Sequence, residues 1–443
     1  MTPPTPEHTV MTRRRGLQGA WAALVSLTLA GVGRADAPAV PGARLSADFD
    51  PVATIWLGHD IGHESFTGDL AAALWGHAPI GMLVRSTESE QRARALLARR
   101  GLNSIQVQFV HDPQAPFFMR DAVVFGVDGD NDAFVVDFEW THYGWRHWCR
   151  RLHAGDLGQA EACARTDDVQ TGALDRRFAA ALGMAVFQSP LAIEGGGVEV
   201  NGQGLLIANA ALWKSRNPGL PPLALERELL RLPGIRKLIW LPRGLAQDPL
   251  HRATITGPFV GWGTGGHTDE FVRFADPGTV LLAWSDEAEL GRDPVARLNQ
   301  ARMQVNHDIL VRSTDQDGKP LRVIKVPLPR TIERSVVLAA DADTRYSAQW
   351  SPKDFPAREG RAAGDTVRQV AASSYLNHLV VNDLVLLPDY VPYGTPAVRQ
   401  EAVRQIFQAA FPGRKIRFID AMQANWVGGG VHCATLLEPG RVS

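Results

Sequence analysis

Leu191-Ala192-Ile193-Glu194-Gly195-Gly196-Gly197-Val198-Glu199-Val200 sets one carboxylate between an apolar run and three successive glycines. Residues without side chains let the backbone pass close to whatever Glu194 faces. Two other stretches share this chemistry. Phe118-Met119-Arg120-Asp121 precedes a strand-like run, and Gly266-His267-Thr268-Asp269 precedes Phe271-Val272-Arg273-Phe274. Asp121, Glu194 and His267 follow one another at intervals of 73 residues. Chemically similar sites at equal spacing are what a fold built from repeated units would give.

Between these sites, strand and helix signals alternate on a short period. Extended runs are expected at 133–138, 204–208, 237–241, 279–284, 321–326 and 379–387, the last turning at Asn382-Asp383. Thr87 and Glu90 read as a capping box for a helix that passes Leu96-Leu97 and stops at Gly101. The stretch 397–411 has amphipathic helical spacing and ends at Pro412-Gly413. No low-complexity linker interrupts 45–440, so one repeat-built α/β domain is expected rather than two unrelated ones. With 443 residues, 45% hydrophobic and 21% charged, the chain can bury a substantial core. A formal net charge of −1 offers no strong field for nucleic acid or an anionic membrane, so a small or local partner is expected.

Gly428-Gly429-Gly430-Val431-His432-Cys433 places a cysteine after another glycine run. Such a backbone can bring a thiol close to a substrate. The thiolate is the nucleophilic form, and it needs electropositive or hydrogen-bonding neighbours from elsewhere in the fold. Alone, Cys433 reads more simply as a small apolar residue in a tight turn. Asp121, Glu194, His267 and Asp269 shift that balance. A planar cation with several N–H donors is best held by carboxylates that accept in pairs. A thiolate attacking its central carbon needs a histidine to protonate the departing amine. These five residues supply that set for a guanidinium group, with no metal or other cofactor.

The motifs FMRD (118–121), VVDFEW (135–140), LAIEGGGVEVNGQG (191–204), SRNPGL (215–220), IWLPRGL (239–245), GGHTDEFVRF (265–274), SSYLNHLVVNDLVLLPDY (373–390) and GGGVHC (428–433) occur in that order. In order and number they resemble the agmatine deiminase and bacterial peptidylarginine deiminase group of guanidino-group modifying enzymes. The resemblance covers most of the chain after about residue 45. It implies a five-bladed α/β propeller, the pentein fold, with the site at its centre and one catalytic domain over 45–443. It also implies roles. Cys433 attacks the guanidinium carbon, His267 protonates the leaving ammonia and then activates water, and Glu194 orients His267. Asp121 and Asp269 hold the guanidinium plane. Asn377 matches a position near the substrate, where direct contact and a strand-end capping role are both open.

Substrate choice divides the family. In the agmatine enzymes an acidic cluster lies just before the histidine of the GH-x-D motif and meets the distal amine; here that position reads Gly263-Thr264-Gly265-Gly266. The nearby acid, Asp248, is separated from it by the loop 249–264. In the bacterial peptidylarginine enzymes two arginines after the VDF strand bind a terminal carboxylate, where this chain aligns His142 and Gly144. Arg146, Arg150 and Arg151 lie close by and either serve a related purpose or coat the loop. The expected substrate is a small-molecule or peptide guanidinium compound.

Thr12-Arg13-Arg14-Arg15, the apolar run from Trp21 to Ala30 and the small residues Ala35-Asp36-Ala37 look like a twin-arginine export signal over 1–37. An apolar stretch this short, broken by Ser26 and Thr28, is a poor membrane span. In an oxidising compartment Cys149 and Cys163 are expected to close a disulfide within an elaborated loop, leaving Cys433 unpaired.

Two other classes compete with this one. A metal-dependent hydrolase is suggested by His59 and His63 at i, i+4, a zinc-binding spacing on a helix. Gly58 and Gly62 argue against a helix there. Asp128, Asp130 and Asp132 alternate as in part of a calcium loop but lack its terminal glutamate, so a solvated turn is expected. A non-catalytic secreted binding protein is disfavoured because all five catalytic positions are filled.

Overall fold

Five units of the fold share one plan: an antiparallel pair of strands is joined by a third that runs parallel to the second. Val124–Val127, Ala133–Glu139 and Val186–Ala192 form one such unit. Glu199–Val200, Leu205–Asn209 and Lys237–Leu241 form the next. Val272–Asp276, Thr279–Trp284 and Arg322–Pro327 follow, then Leu379–Val381, Leu384–Pro388 and Lys415–Ile419. The remaining unit is built from sequence-distant pieces: Thr435–Pro439 pairs antiparallel with Val52–Gly58, which pairs parallel with Ile80–Val84. The structure, a computed structural model, describes residues 42–165, 172–340 and 349–440. The proposed export signal lies outside the described residues.

A parallel return needs a crossover. Helices supply it: Glu64–Leu74, Leu174–Leu182, Ala210–Arg216 with Pro222–Leu229, Pro294–Leu310 and Ala397–Ala410. The central strands are buried on both faces, as their near-continuous apolar sequences require. Alternate residues on each then serve different neighbours. Leu206 and Ala208 pack with Phe134 and Val136 of the preceding unit, while Leu205 and Ile207 pack with Val280, Leu282, Val385 and Leu387. Trp56 and Leu83 meet Phe125 and Val135, and Ile55 and Leu57 meet Leu384 and Leu386. The units therefore share apolar clusters in cyclic order, the last with the first. Burying each of these large side chains contributes about 1.5–3 kcal/mol, so the shared clusters bind the repeats into one body.

Most expected elements are present, with corrections. Strands 237–241 and 279–284 match, and Asn382 takes the hairpin turn with φ 40°. The helix Thr87–Arg99 is capped by Ser86, whose hydroxyl accepts from the Ser89 N–H. Glu90, expected in a capping box with Thr87, instead bonds Arg94 and His111. The segment read as a loop at 249–264 is a β-hairpin, Leu250–Thr256 and Phe259–Thr264. It joins Thr366–Val370 and Glu333–Val337 in a further sheet outside the five units. The elaborated loop contains two helices, Trp145–Leu152 and Leu157–Ala164, stapled by a Cys149–Cys163 disulfide. His59 and His63 do not share a helix: His59 follows a strand and bonds Ser89 and Glu64, while His63 bonds Asp60 and stacks on Phe117. The 128–132 turn closes through Asp128, which accepts from the N–H groups of Asp130 and Asp132.

Candidate active site

Each unit's first strand is preceded by a turn, and these turns meet. Asp121 sits in the helical turn Met119–Ala122, and Glu194 opens the turn Gly195–Gly197. His267 and Asp269 flank and occupy the turn Thr268–Glu270. Asn377 and Cys433 each stand two residues before a strand, Leu379–Val381 and Thr435–Pro439. All six predicted residues are buried. Three of them converge on Gly196. A Cβ there would lie 2.5 Å from His267 Nδ1, 2.9 Å from Asp121 Oδ1 and 3.1 Å from Asp269 Oδ2, so no side chain fits.

His267 Nε2 is bonded to Glu194 Oε2 at 3.1 Å, and its Nδ1 lies 3.5 Å from Asp121 Oδ1 without a hydrogen-bond partner. Burial disfavours charge on the ring, but Asp121, Glu194 and Asp269 outweigh it and lift its pKa to about 9. The imidazole is therefore a cation at neutral pH with one nitrogen free. Burial would raise Glu194; Arg216 and His267 overcome that and hold it at about 2. Arg216 Nε lies 2.9 Å from both Glu194 oxygens, and its Nη2 donates to the Thr264 carbonyl at 2.6 Å. This clamp fixes the carboxylate that orients the histidine.

Asp121 differs. Burial, with Asp269 and Glu194 nearby, lifts it to about 6. Its Oδ1 accepts the Gly196 N–H at 3.0 Å and its Oδ2 the Tyr143 hydroxyl at 3.1 Å. Asp269 Oδ2 bonds His432 Nδ1 at 2.7 Å, and His432 Nε2 bonds Asp48 at 2.9 Å. Asp48 is in turn held by Arg120 and Arg273 at 3.0 and 2.8 Å. Asp269 Oδ1 is left without a partner.

The Cys433 thiol lies 3.5 Å from Asp269 Oδ2, which it faces as a donor. Burial pushes its pKa well up, and Asp269, Glu270 and Asp121 push it further; the Asn377 amide opposes them. The sequence called for electropositive or hydrogen-bonding neighbours; the nearest group is a hydrogen-bond donor, the Asn377 amide, while Asp269 beside it is a carboxylate. Asn377, expected near the substrate, spends its amide on Cys433 Sγ at 3.0 Å and Glu270 Oε1 at 2.8 Å. Burial and nearby Asp269 raise Glu270 well above the usual carboxylate range. Asp269, Glu270 and Cys433 present ligand atoms within 4.8 Å of one another, a spacing that suits a metal ion as well as the N–H groups of a planar cation.

Asp248 does not reach toward a ligand. It accepts the backbone N–H groups of Thr264, Gly266 and His267, the last two at 2.9 Å, and so shapes the turn that presents His267. Arg146 and Arg150 pair with Glu161 on the neighbouring helix. Arg216, His432, Glu270, Asp48 and Tyr143 were not foreseen as site residues. The first three lay inside quoted motifs, but only their partners in space disclose a role. For Asp48 and Tyr143 the sequence carried no signal.

A model of the Porphyromonas-type peptidyl-arginine deiminase family matches residues 53–439. The chain is 27% identical over 409 residues to the agmatine deiminase of Stutzerimonas stutzeri, covering 91% of this chain and 97% of that one. It is likewise 27% identical over 417 residues to the agmatine deiminase of Ectopseudomonas mendocina, at the same two coverages of 91% and 97%. The fold superposes on the agmatine deiminase of Enterococcus faecalis with a TM-score of 0.67 at 21% identity, covering 93% of this chain and 99% of that one.

Proposed function

The chain belongs to the Porphyromonas-type peptidyl-arginine deiminase family, and on that premise we propose that it hydrolyses the guanidinium group of an arginine derivative to a ureido product and ammonia. The observation that carries this reading is the meeting of the His267 cation, Asp121 and Asp269 around the bare backbone of Gly196, with Cys433 Sγ 3.5 Å from Asp269 Oδ2 and Asp269 Oδ1 left unpartnered. A guanidinium plane held by Asp121 and Asp269 brings its own positive charge. That charge offsets the carboxylate field that keeps the thiol protonated, and the thiol proton is released to solvent as substrate binds.

The sulfur then forms a bond to the guanidinium carbon. His267 gives a proton to the departing nitrogen, the C–N bond breaks and ammonia leaves a thiouronium on Cys433. Because Nε2 is engaged by Glu194, Nδ1 is the nitrogen that transfers the proton. The neutral ring next takes a proton from water, whose oxygen attacks the thiouronium carbon. Collapse forms the ureido C=O, breaks the C–S bond, returns the thiolate and releases the hydroxyl proton to solvent. Asn377, through its bond to the sulfur, positions the nucleophile and stabilises its negative charge.

Peptidylarginine or another arginine derivative is the preferred reading of the substrate. The family's name and the engagement of Asp248 with backbone support it. The alternative is agmatine, yielding N-carbamoylputrescine, which the names of the relatives favour. The test is incubation of the purified chain with agmatine, free arginine and arginine peptides, with and without a chelator, measuring ammonia and ureido product. Ammonia from none of them would overturn the deiminase reading, and loss of activity on chelation would favour the metal-dependent hydrolase. The cyclic sharing of cores supports a finer reading of the five units as blades of a propeller, and the Cys149–Cys163 bond suits export through the twin-arginine segment.

A further inference from the structure

Beside the catalytic turns lies a cavity of about 210 Å³ whose walls are mainly aromatic. The helix Trp145–Leu152 contributes Trp145 and Trp148, stacked with centroids 4.7 Å apart. Their polar atoms are already used: the Trp145 Nε1–H donates to the Cys163 carbonyl and that of Trp148 to the Arg252 carbonyl. What remains for a ligand is ring face. The hairpin outside the five units supplies His251 and Trp262. The cavity adjoins the reaction centre through Tyr143, whose hydroxyl bonds Asp121, and Phe118. A Cβ on Gly429 would touch both the Phe118 ring and the carbon that bears the Cys433 sulfur.

Two properties define what this cavity accepts. The first is charge. Its one lining carboxylate, Asp354, is paired with Arg252 at 3.3 Å, and the Arg252 guanidinium itself lies 4.2 Å over the Trp262 ring, where a ligand cation would otherwise sit. The second is a single acceptor. The His251 ring bonds the His142 backbone, its pKa is lowered to about 3 by burial and Arg216, and its buried Nε2 has no partner. A neutral imidazole that donates from one nitrogen offers a lone pair on the other. Backbone strain is concentrated here as well. His142, Tyr143 and His251, at φ 49°, 55° and 51°, are three of the five non-glycine residues with positive φ among the described residues. Such conformations are retained where the surroundings over-determine them, often at ligand sites.

Resting on the deiminase reading above, we infer that this cavity is the subsite for the substrate's tail, and that it selects arginine acylated on its α-nitrogen by an aromatic group. The ring lies among Trp145, Trp148 and Trp262, and the acyl N–H donates to His251 Nε2. A cavity of about 150 Å³ is enough to hold benzene, so about 210 Å³ takes a ring with the amide that carries it.

The test compares kcat/KM for N-benzoyl-arginine amide, N-acetyl-arginine amide and agmatine in the unaltered chain. The expected order is benzoyl over acetyl by about tenfold or more, with agmatine below both. Methylating the acyl nitrogen, which removes the donor, lowers kcat/KM by about tenfold. Trp145→Ala brings the benzoyl-to-acetyl ratio close to one, and Trp145→Phe restores most of it. Equal kcat/KM for the two acylated compounds, or agmatine as the best of the three, overturns the subsite while leaving the deiminase reading in place. No turnover of any of the three removes both.

Discussion

Asn377 grips Cys433 from two directions: its Nδ2–H donates to the sulfur at 3.0 Å, and its Oδ1 accepts the backbone N–H of the adjoining His432 at 2.8 Å. A Cβ on Gly430 would sit 2.5 Å from that oxygen, so the glycine run is what lets the amide come so close. The nucleophile's position is thereby set by a residue from a different unit. Asn377→Ala should lower kcat by about 10²-fold with little change in KM, because the lost donor acts on charge that develops at sulfur. A KM effect alone would mean that the amide serves the substrate instead.

Cys433→Ala should abolish turnover, by on the order of 10⁴-fold or more, with the melting temperature retained. Cys433→Ser should be almost as inactive, since an alcohol is far less ionised than a thiol. Ammonia release by the alanine variant at a rate near that of the parent would end the covalent mechanism.

The pH dependence of kcat/KM should fall on both sides. Below about 6, Asp121 takes up a proton and loses its hold on a cation; above about 9, His267 gives up the proton it must deliver to ammonia. A profile flat through pH 9–10 would take the general-acid role away from His267.

Asp248→Asn separates two ideas about one carboxylate. Acceptance from the N–H groups of Thr264, Gly266 and His267 makes Asp248 a brace for the histidine turn. The amide can accept on only one atom, so a stability loss of about 1–3 kcal/mol is expected with every substrate affected alike. A rise in KM confined to agmatine would show that Asp248 meets an amine.

Replacing Cys149 and Cys163 by alanine should reduce stability by about 2–4 kcal/mol, read by denaturant titration. Mass spectrometry of the parent chain should find Cys433 as the single alkylatable thiol before reduction. Two further free thiols would show that the bond does not form.

The sequence disclosed the site better than its surroundings. Asp121, Glu194 and His267 were legible because carboxylate, glycine and equal spacing mark a repeated turn, and the structure places each of them before a unit's first strand. Arg216 was hidden because its function is to face Glu194, 22 residues away, and a local pattern does not report that contact. The environment of Cys433 was legible in part: the hydrogen-bonding neighbour is present in Asn377, but the carboxylate beside the sulfur comes from a distant turn that a local pattern does not report. Nucleophilic thiols usually sit near fixed cations, whereas in the proposed mechanism the balancing charge is the substrate's. The expected loop at 249–264 is a hairpin whose second strand, Phe259–Thr264, is completed by 366–370, a partner more than 100 positions later that a local pattern does not report. Among helices, Ser86 outcompeted Thr87 as the cap because a single residue shift satisfies the Ser89 N–H equally well.

The strand Thr435–Pro439 closes the unit begun by Val52–Gly58, and Trp56 donates to Glu438 across 382 positions of chain. Synthesis runs from the earlier strand to the later one, so Val52–Gly58, which pairs early with Ile80–Val84, receives its antiparallel partner only after the 382 positions from Trp56 to Glu438 have been made. The thiol stands two residues before that partner. Closing strand and thiol are thus made together. A chain that has not yet made them has no sulfur at the candidate site, which is complete only once the shared clusters close.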